Sequence, residues 1–170
     1  SMHFGAYRVQ LVSSGSDGDV EVLRPAVEAA ARQLSAVTAL AFGVDPGQVP
    51  RPRSVNRYPA GFCSNGADHR CSLFDDGEAD VGVIRLELAS SSPCGQLAPA
   101  GATRGAVGCG GPESVRAGDG TVLHLRGDVW LSPSLTQVGT PLATEVVAHE
   151  IAHAMGLDHY QPAYTSAPGA

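Results

Sequence analysis

Lysine is absent from this chain of 170 residues, and its 11 basic residues are all arginines, spread along the sequence without a basic run. The formal net charge is -6 and the pI is about 5.4. Nucleic-acid backbones and anionic membranes are bound through clusters of positive charge, which this composition does not supply. We therefore expect neither nucleic acid nor a membrane as a partner.

Long hydrophobic runs are lacking as well. No apolar stretch approaches the roughly 20 residues that a helix needs to cross a bilayer, and no basic segment followed by an apolar one begins the chain. Ser1-Met2 has the look of a cloning remnant, so a natural signal peptide could have been removed. With 43% apolar and 16% charged residues, the composition predicts that residues 1–170 form a single soluble domain, which we expect to be a monomer.

The four cysteines form no C-x-x-C pair, the spacing of zinc ribbons and thioredoxin-like redox sites. An even number of cysteines in loop-like sequence is typical of disulfides in an oxidising compartment. Three pairings are possible, and we favour Cys63 with Cys71 and Cys94 with Cys109. Four reduced thiols in a cytosolic protein are the alternative. The cysteines thus favour a secreted, extracellular protein.

Hydrophobic periodicity predicts strands and helices in one α+β chain. Segments rich in Gly, Pro and small residues, at 43–80, 90–120 and 130–139, are predicted to be mainly loops. The predicted elements are strands at 6–12, 81–88 and 121–125, a helix from about Pro25 to Leu40, and a last helix at 142–155 that Thr140 caps.

The last predicted helix carries the sequence His149-Glu150-Ile151-Ala152-His153. Residues four apart lie on one helix face, so the imidazoles of His149 and His153 can bind the same metal ion. Glu150 lies about 100° around the helix, where its carboxylate can reach a water on that ion without binding the ion itself. For a lone HExxH motif, histidines that merely pack or cap are the ordinary alternative.

His159 is the candidate for a third ligand. In a continuous helix the six-residue step from His153 would rotate His159 by about 600°, away from the metal face. Gly156 lies between them, and glycine leaves a helix through a left-handed conformation at little cost, so the chain can turn and return His159 to the ion. Chance alone produces the complete HExxHxxGxxH motif in roughly a few per hundred thousand chains of this composition.

Three neutral imidazoles and a water form the tetrahedral site of a catalytic zinc ion, whereas magnesium and calcium prefer oxygen ligands. We therefore predict one catalytic Zn²⁺ on His149, His153 and His159. The ion polarises a scissile carbonyl and lowers the pKa of its water towards about 7, while Glu150 takes the proton and passes it to the leaving amine. The predicted reaction is hydrolysis of a peptide bond without a covalent intermediate.

The chain resembles the metzincins, and among them the matrixins, the matrix-metalloproteinase-like peptidases. The resemblance implies a twisted, mostly parallel mixed sheet backed by two helices, a horizontal cleft across the zinc, and an extended peptide as substrate. It also implies that 97–100 is the edge strand that pairs with substrate backbone. Besides the zinc motif, the similar segments lie in family order at 7–9, 34–42, 79–83, 97–100, 121–130 and 146–148.

One family feature has no counterpart in the sequence. The family has a Met-containing turn beneath the zinc and then a C-terminal helix, whereas this chain has only Met2 and Met155 and ends 11 residues after His159. We expect truncation or processing, with a different turn as the alternative, so a C-terminal helix is not part of the predicted fold.

Many matrixins also bind structural zinc and calcium. His69 and His124 are the candidates for a second zinc, although a solvated histidine and a strand-surface histidine are the simpler interpretations. Four aspartates could hold Ca²⁺, with a solvated acidic face as the alternative. Tyr164 could contact the zinc, but no matching motif surrounds it. The four aspartates are Asp75, Asp76, Asp80 and Asp128.

The sequence therefore predicts a secreted zinc-dependent endopeptidase with Glu150 as its general base. A catalytically impaired, zinc-containing metzincin-like binding domain is the main alternative, favoured by the missing Met-turn. A zinc hydrolase of non-peptide amides is a third interpretation.

Overall fold

The computed structural model of the protein describes residues 5–50, 82–116 and 122–159. Short 3-10 segments at 15–17, 20–23 and 133–137 connect its regular elements. These elements are, in chain order, β1 (Ala6–Val12), α1 (Arg24–Val37), β2 (Ala41–Val49), β3 (Val83–Leu88), β4 (Ser91–Ser92), β5 (Gly95–Gln96), β6 (Gly108–Arg116), β7 (Val122–Leu131) and α2 (Thr140–Ala154).

Five strands form one sheet in the order β2-β1-β3-β7-β6. β1 pairs in parallel with β2 and β3, and β3 pairs in parallel with β7, whereas β6 runs antiparallel to β7 at the edge of the sheet. β4 and β5 form a separate antiparallel hairpin. The prediction of an α+β fold with a mostly parallel mixed sheet and two helices is confirmed.

The two helices contact each other and share one apolar core with the sheet. Alternate strand residues point into this core, and helix residues three or four apart reach it from the other side. Each fully buried Val, Leu or Ile contributes about 1.5–3 kcal/mol, so this core fixes both helices on the sheet. Its members include Val9, Leu11, Ile84, Leu86, Leu88, Val129 and Leu131 from the strands, and Ala26, Val27, Ala30, Ala143, Val147, Ile151 and Ala154 from the helices.

β2 lies mostly in a segment that the sequence predicted to be mainly loop. Its ladder with β1 is irregular in the middle, where Pro46 and Gly47 interrupt the strand pattern. Arg24 bridges this irregularity from the start of α1, donating hydrogen bonds to the carbonyls of Asp45 (3.0 Å) and Gly47 (2.7 Å). Residues 43–49 are thus a strand within a segment predicted to be mainly loop, and a distant arginine satisfies backbone groups there that the local sequence leaves open.

The loop predictions at 90–120 and 130–139 were also wrong in part. Residues 108–116 form β6, and β7 extends beyond 125 to include Trp130 and Leu131. The resemblance placed the edge strand at 97–100, but there Leu97 makes only a single bridge, to Ala106. β6 is the edge strand of the sheet instead. Its glycine content suggested turns, whereas the glycines serve a close contact with α2 that the site geometry below explains.

A disulfide joins Cys94 to Cys109, the pairing favoured from the sequence, with the two Cα atoms 6.0 Å apart. It connects the β4–β5 hairpin region to β6. Cys109 is buried in a small apolar cluster with Leu97 and Trp130, separate from the main core. Cys63 and Cys71, with their predicted disulfide, lie outside the described residues.

Neither α1 nor α2, the α-helices of the described ranges, is long and apolar enough to cross a membrane.

Candidate metal centre

Helix α2 positions two of the predicted ligands and the predicted base. Its N-cap is Gly139, not Thr140 as predicted, because Thr140 is already the first helical residue, with Pro141 in the first turn. The side chains that the helix buries recur at intervals of three or four and face the sheet. His149 and His153 lie off this stripe, so packing of α2 directs both imidazoles away from the core. The buried stripe consists of Ala143, Val147, Ile151 and Ala154.

Gly156 ends the helix and turns the chain back. Its φ is +90°, in the left-handed region that favours glycine. Gly156 N–H donates to the carbonyl of His153 (2.8 Å), and Leu157 N–H donates to that of Ala152 (3.1 Å). This pair of bonds is the Schellman arrangement, which satisfies carbonyls at a helix C-terminus. The reversal brings His159 alongside the helix it has just left.

The three imidazoles meet at their Nε2 atoms. His153 Nε2 lies 3.0 Å from His149 Nε2 and 2.9 Å from His159 Nε2, and the remaining pair is 3.3 Å apart. Zinc–nitrogen bonds of about 2.0–2.1 Å in a tetrahedral site separate the ligand nitrogens by about 3.3 Å. Zinc would therefore require the closer pairs to move apart by only a few tenths of an ångström. The spacing of the three donors fits the ion.

A backbone carbonyl fixes the proton on His153. Its Nδ1 lies 2.6 Å from the carbonyl oxygen of Leu157. Since a carbonyl oxygen can only accept, Nδ1 carries the proton and Nε2 presents a lone pair. Metal-binding histidines commonly donate their other ring N–H to a carbonyl in this way, which holds the ring in orientation. The Gly156 turn thus delivers both His159 and the carbonyl that orients His153.

Neutral imidazoles alone cannot satisfy this triangle of nitrogens. Each Nε2 carries either a proton or a lone pair, so three such atoms in mutual contact form at most two hydrogen bonds. The third pair then consists of two donors or two acceptors. A cation held by the three nitrogens would accept all three lone pairs and remove the conflict. The donor set of three imidazoles is that of zinc and not of magnesium or calcium.

Glu150 lies beside the triad but largely out of solvent, with 7% of its surface exposed. Burial raises the pKa of its carboxyl above the ordinary value, because the charged form loses hydration. Positive charge on His149 and His153 and a backbone hydrogen bond from Gly110 oppose that rise in pKa. A bound dication would act in the same direction as these opposing groups and favour the ionised carboxylate that a general base requires.

Glycines on β6 and β7 allow α2 to lie directly on the sheet. A Cβ at Gly110 would lie 2.0 Å from the backbone oxygen of Glu150, and one at Gly127 would lie 2.3 Å from that of Ala154. At Gly108 a Cβ would lie 2.6 Å from Cγ of Glu150. Side chains at these three positions would push the helix or Glu150 away. Glycine within a strand commonly marks such a close approach.

His124 lies in β7, beside the turn that ends α2. In the β6–β7 ladder Glu113 pairs with Arg126 but Ser114 pairs with His124, so one residue of β7 is unmatched. An unmatched residue reverses the alternation of side chains between the faces of a sheet. His124 is half-buried, and its Nε2 lies 2.6 Å from where a Cβ on Gly156 would be. It therefore packs against the turn from its position in β7.

Among the described residues, His149, His153 and His159 are the one group of His, Cys, Asp or Glu that could hold a metal ion. Neither His124 nor Asp128 belongs to it, so the described ranges offer no support for a second zinc or for calcium at those residues. The other candidates lie outside these ranges: His69, Asp75, Asp76, Asp80 and Tyr164.

Sequence reasoning missed the Leu157 carbonyl and the contacts of Gly108 and Gly110. The carbonyl has no side-chain signature, because any residue supplies one. The two glycines did leave a signal, since they lie two apart and so share a face if the segment is a strand. The high content of glycine and small residues in 90–120 suggested a loop instead.

No protein-family model matches the chain, and no curated protein is similar enough to count as a match. What the site can do chemically therefore follows from its own residues.

Proposed function

We propose that this protein is a zinc-dependent endopeptidase of metzincin type that acts outside the cell. The convergence of the Nε2 atoms of His149, His153 and His159 carries the proposal, because it brings three imidazole nitrogens together at zinc spacing. Three protein ligands leave one position for water and substrate, which is the pattern of catalytic rather than structural zinc sites.

The residues have separate roles in the proposed reaction. The three histidines hold the ion, and Leu157 orients His153 through its carbonyl. When bound, zinc supplies a Lewis acid that polarises the scissile carbonyl and makes water a competent nucleophile near neutral pH. Glu150 takes the proton from the attacking water and delivers it to the leaving amine. Its partial burial keeps its carboxylate out of bulk water on the β6 side of the site.

The substrate class in this proposal is an extended peptide. β6 is an edge strand next to α2, and no other strand of the described ranges pairs with its outer side. An extended peptide can add to such an edge through main-chain hydrogen bonds. The metzincin resemblance supports this use of an edge strand, with β6 in place of 97–100. The disulfide between Cys94 and Cys109 supports secretion, because such bonds persist in oxidising compartments.

Cleavage of an unfolded protein by the zinc-loaded chain tests the proposal. The wild type and Glu150→Gln are compared at equal zinc content, measured by elemental analysis. We expect the wild type to cleave and the variant to lose about 100-fold to 10,000-fold in kcat, the usual contribution of general acid–base catalysis. Equal zinc with no cleavage by either protein would instead support the impaired binding domain. Cleavage of small amides but not of peptides would support the third interpretation.

A further inference from the structure

Glu150 rests on a short backbone segment of the edge strand, Gly108-Cys109-Gly110, which we call the glycine platform. A Cβ at Gly108 would lie 2.6 Å from Cγ and 2.7 Å from Oε1 of Glu150. Real Cβ atoms do not approach other heavy atoms closer than 3.0 Å. The Glu150 side chain therefore occupies space that exists only because residue 108 has no side chain.

The two glycines of the platform contact different parts of Glu150. The three heavy atoms nearest to a Cβ at Gly108 all belong to the Glu150 side chain, whereas a Cβ at Gly110 would meet the Glu150 backbone oxygen at 2.0 Å and Cβ of His153 at 3.1 Å. A side chain at 110 would displace the helix and its metal ligands, but one at 108 would displace only the carboxylate.

The platform is held in place from its other side. Cys109 points away from α2, because successive strand residues alternate between the faces of the sheet. Its side chain is buried against Trp130 and tied by the disulfide to Cys94. Pairing of Gly108 with Leu131 and of Gly110 with Val129 fixes the platform against β7. Because the backbone is anchored in this way, a steric conflict at Gly108 is relieved by movement of the Glu150 side chain.

We propose that Gly108 is a positioning residue of the peptidase, setting where the Glu150 carboxylate stands without contributing to metal binding. The inference rests on the proposed function, since it assigns Glu150 the role of general base. The course of α2 sets the positions of the metal ligands. The absence of a side chain at residue 108 sets the position of the Glu150 carboxylate.

Kinetics of Gly108→Ala test the inference, with Gly43→Ala as the matched control. Gly43 lies in β2, and a Cβ there would meet nothing within 4 Å. We expect Gly108→Ala to bind one zinc per chain with unchanged affinity and to give the wild-type visible spectrum when loaded with Co²⁺. Its kcat should fall about 100-fold at little-changed KM, the loss typical of a misplacement of about 1 Å. Gly43→Ala should match the wild type in every measurement.

A double-mutant cycle on thermal stability tests the contact between Gly108 and the Glu150 side chain without any assay of activity. Gly108→Ala should lower the unfolding temperature of the wild type but have much less effect in a Glu150→Ala background, where Cγ and Oε1 are missing. Gly43→Ala should have the same small effect in both backgrounds.

Equal losses from Gly108→Ala in the two backgrounds would overturn the inference, as would a fully active Gly108→Ala enzyme or a changed Co²⁺ spectrum. A wild type that cleaves nothing would overturn the proposed function instead, and the cycle would still decide whether Gly108 fixes the Glu150 side chain.

Discussion

Glu150, near the C-terminal end of α2, is an ionisable residue in a buried environment. Glu150 is an acidic side chain with 7% of its surface exposed, and burial raises the pKa of its carboxyl above 4.5. In the folded, metal-free protein burial therefore works against the ionised carboxylate, which is the form that the proposed general base requires. A zinc ion on the three histidines would supply positive charge that favours the ionised form.

Glu150→Gln should stabilise the metal-free protein at neutral pH. A carboxyl whose folded pKa is raised contributes stability that is fully present below its unfolded pKa and is lost as pH rises through the folded pKa. The variant does not ionise, so its unfolding temperature should exceed that of the wild type at pH 7, and the difference should vanish below about pH 4.5. Thermal unfolding with a chelator present measures this, and a less stable variant at pH 7 would contradict it.

Gly156→Ala should weaken zinc binding. The φ of +90° is strained for alanine, and its Cβ would collide with His124. Left-handed backbone costs a non-glycine residue about 1–2 kcal/mol, so zinc affinity should fall about tenfold or more as the turn relaxes and His159 moves away. Gly47→Ala is the control, because Gly47 also has a positive φ (+69°) but open space around it.

Both glycine variants should unfold at lower temperature than the wild type, and only Gly156→Ala should bind zinc more weakly in a competitive titration. Equal zinc affinity of Gly156→Ala and Gly47→Ala would show that the turn does not set the third ligand.

Elements with a simple periodic pattern could be predicted from the sequence. Both helices and the core strands β1 and β3 carry an apolar stripe or a largely apolar run, and local geometry translates these patterns into faces. The spacing of His149 and His153 on one helix face follows from the same geometry. The three candidate ligands could be recognised from the sequence for this reason, since they lie within one helix and the turn that ends it.

Elements held by distant contacts could not be predicted in the same way. β6 has glycine at 108, 110 and 111, a composition typical of turns, and it is a strand because β7 pairs along it and α2 requires its bare backbone. The second half of β2 depends on Arg24, about twenty positions earlier in the chain. The orientation of His124 depends on one unmatched residue in a ladder. None of these contacts has a local signature.

The disulfide is the device that ties the hairpin region to the edge strand. A loop of about 15 residues closed by a disulfide is stabilised by about 3 kcal/mol relative to the open chain. The double variant Cys94→Ala/Cys109→Ala should therefore unfold at a clearly lower urea concentration. The slope of its unfolding free energy against urea concentration should stay similar to that of the wild type. An unchanged midpoint would contradict the role of this bond in holding β6.

At the scale of the whole molecule, the proposed zinc site links metal binding to folding. His159 approaches His149 only when the chain has folded through the Gly156 turn, so zinc would bind the folded state and stabilise it by mass action. A chelator should lower the unfolding temperature of the wild type and leave that of His153→Ala unchanged. The stabilisation by zinc should fade in acid, because protons compete with zinc for the imidazoles. Insensitivity of the wild type to the chelator would contradict this coupling.

At the scale of the whole molecule, one bound zinc with three imidazole ligands and an open position is the central claim. X-ray absorption at the zinc edge, together with zinc content per chain, tests it most directly. We expect one zinc per chain with three nitrogen neighbours at about 2.0–2.1 Å and one oxygen neighbour. Sulfur neighbours, a shell of oxygens alone, or a chain that retains no zinc at neutral pH would contradict the claim.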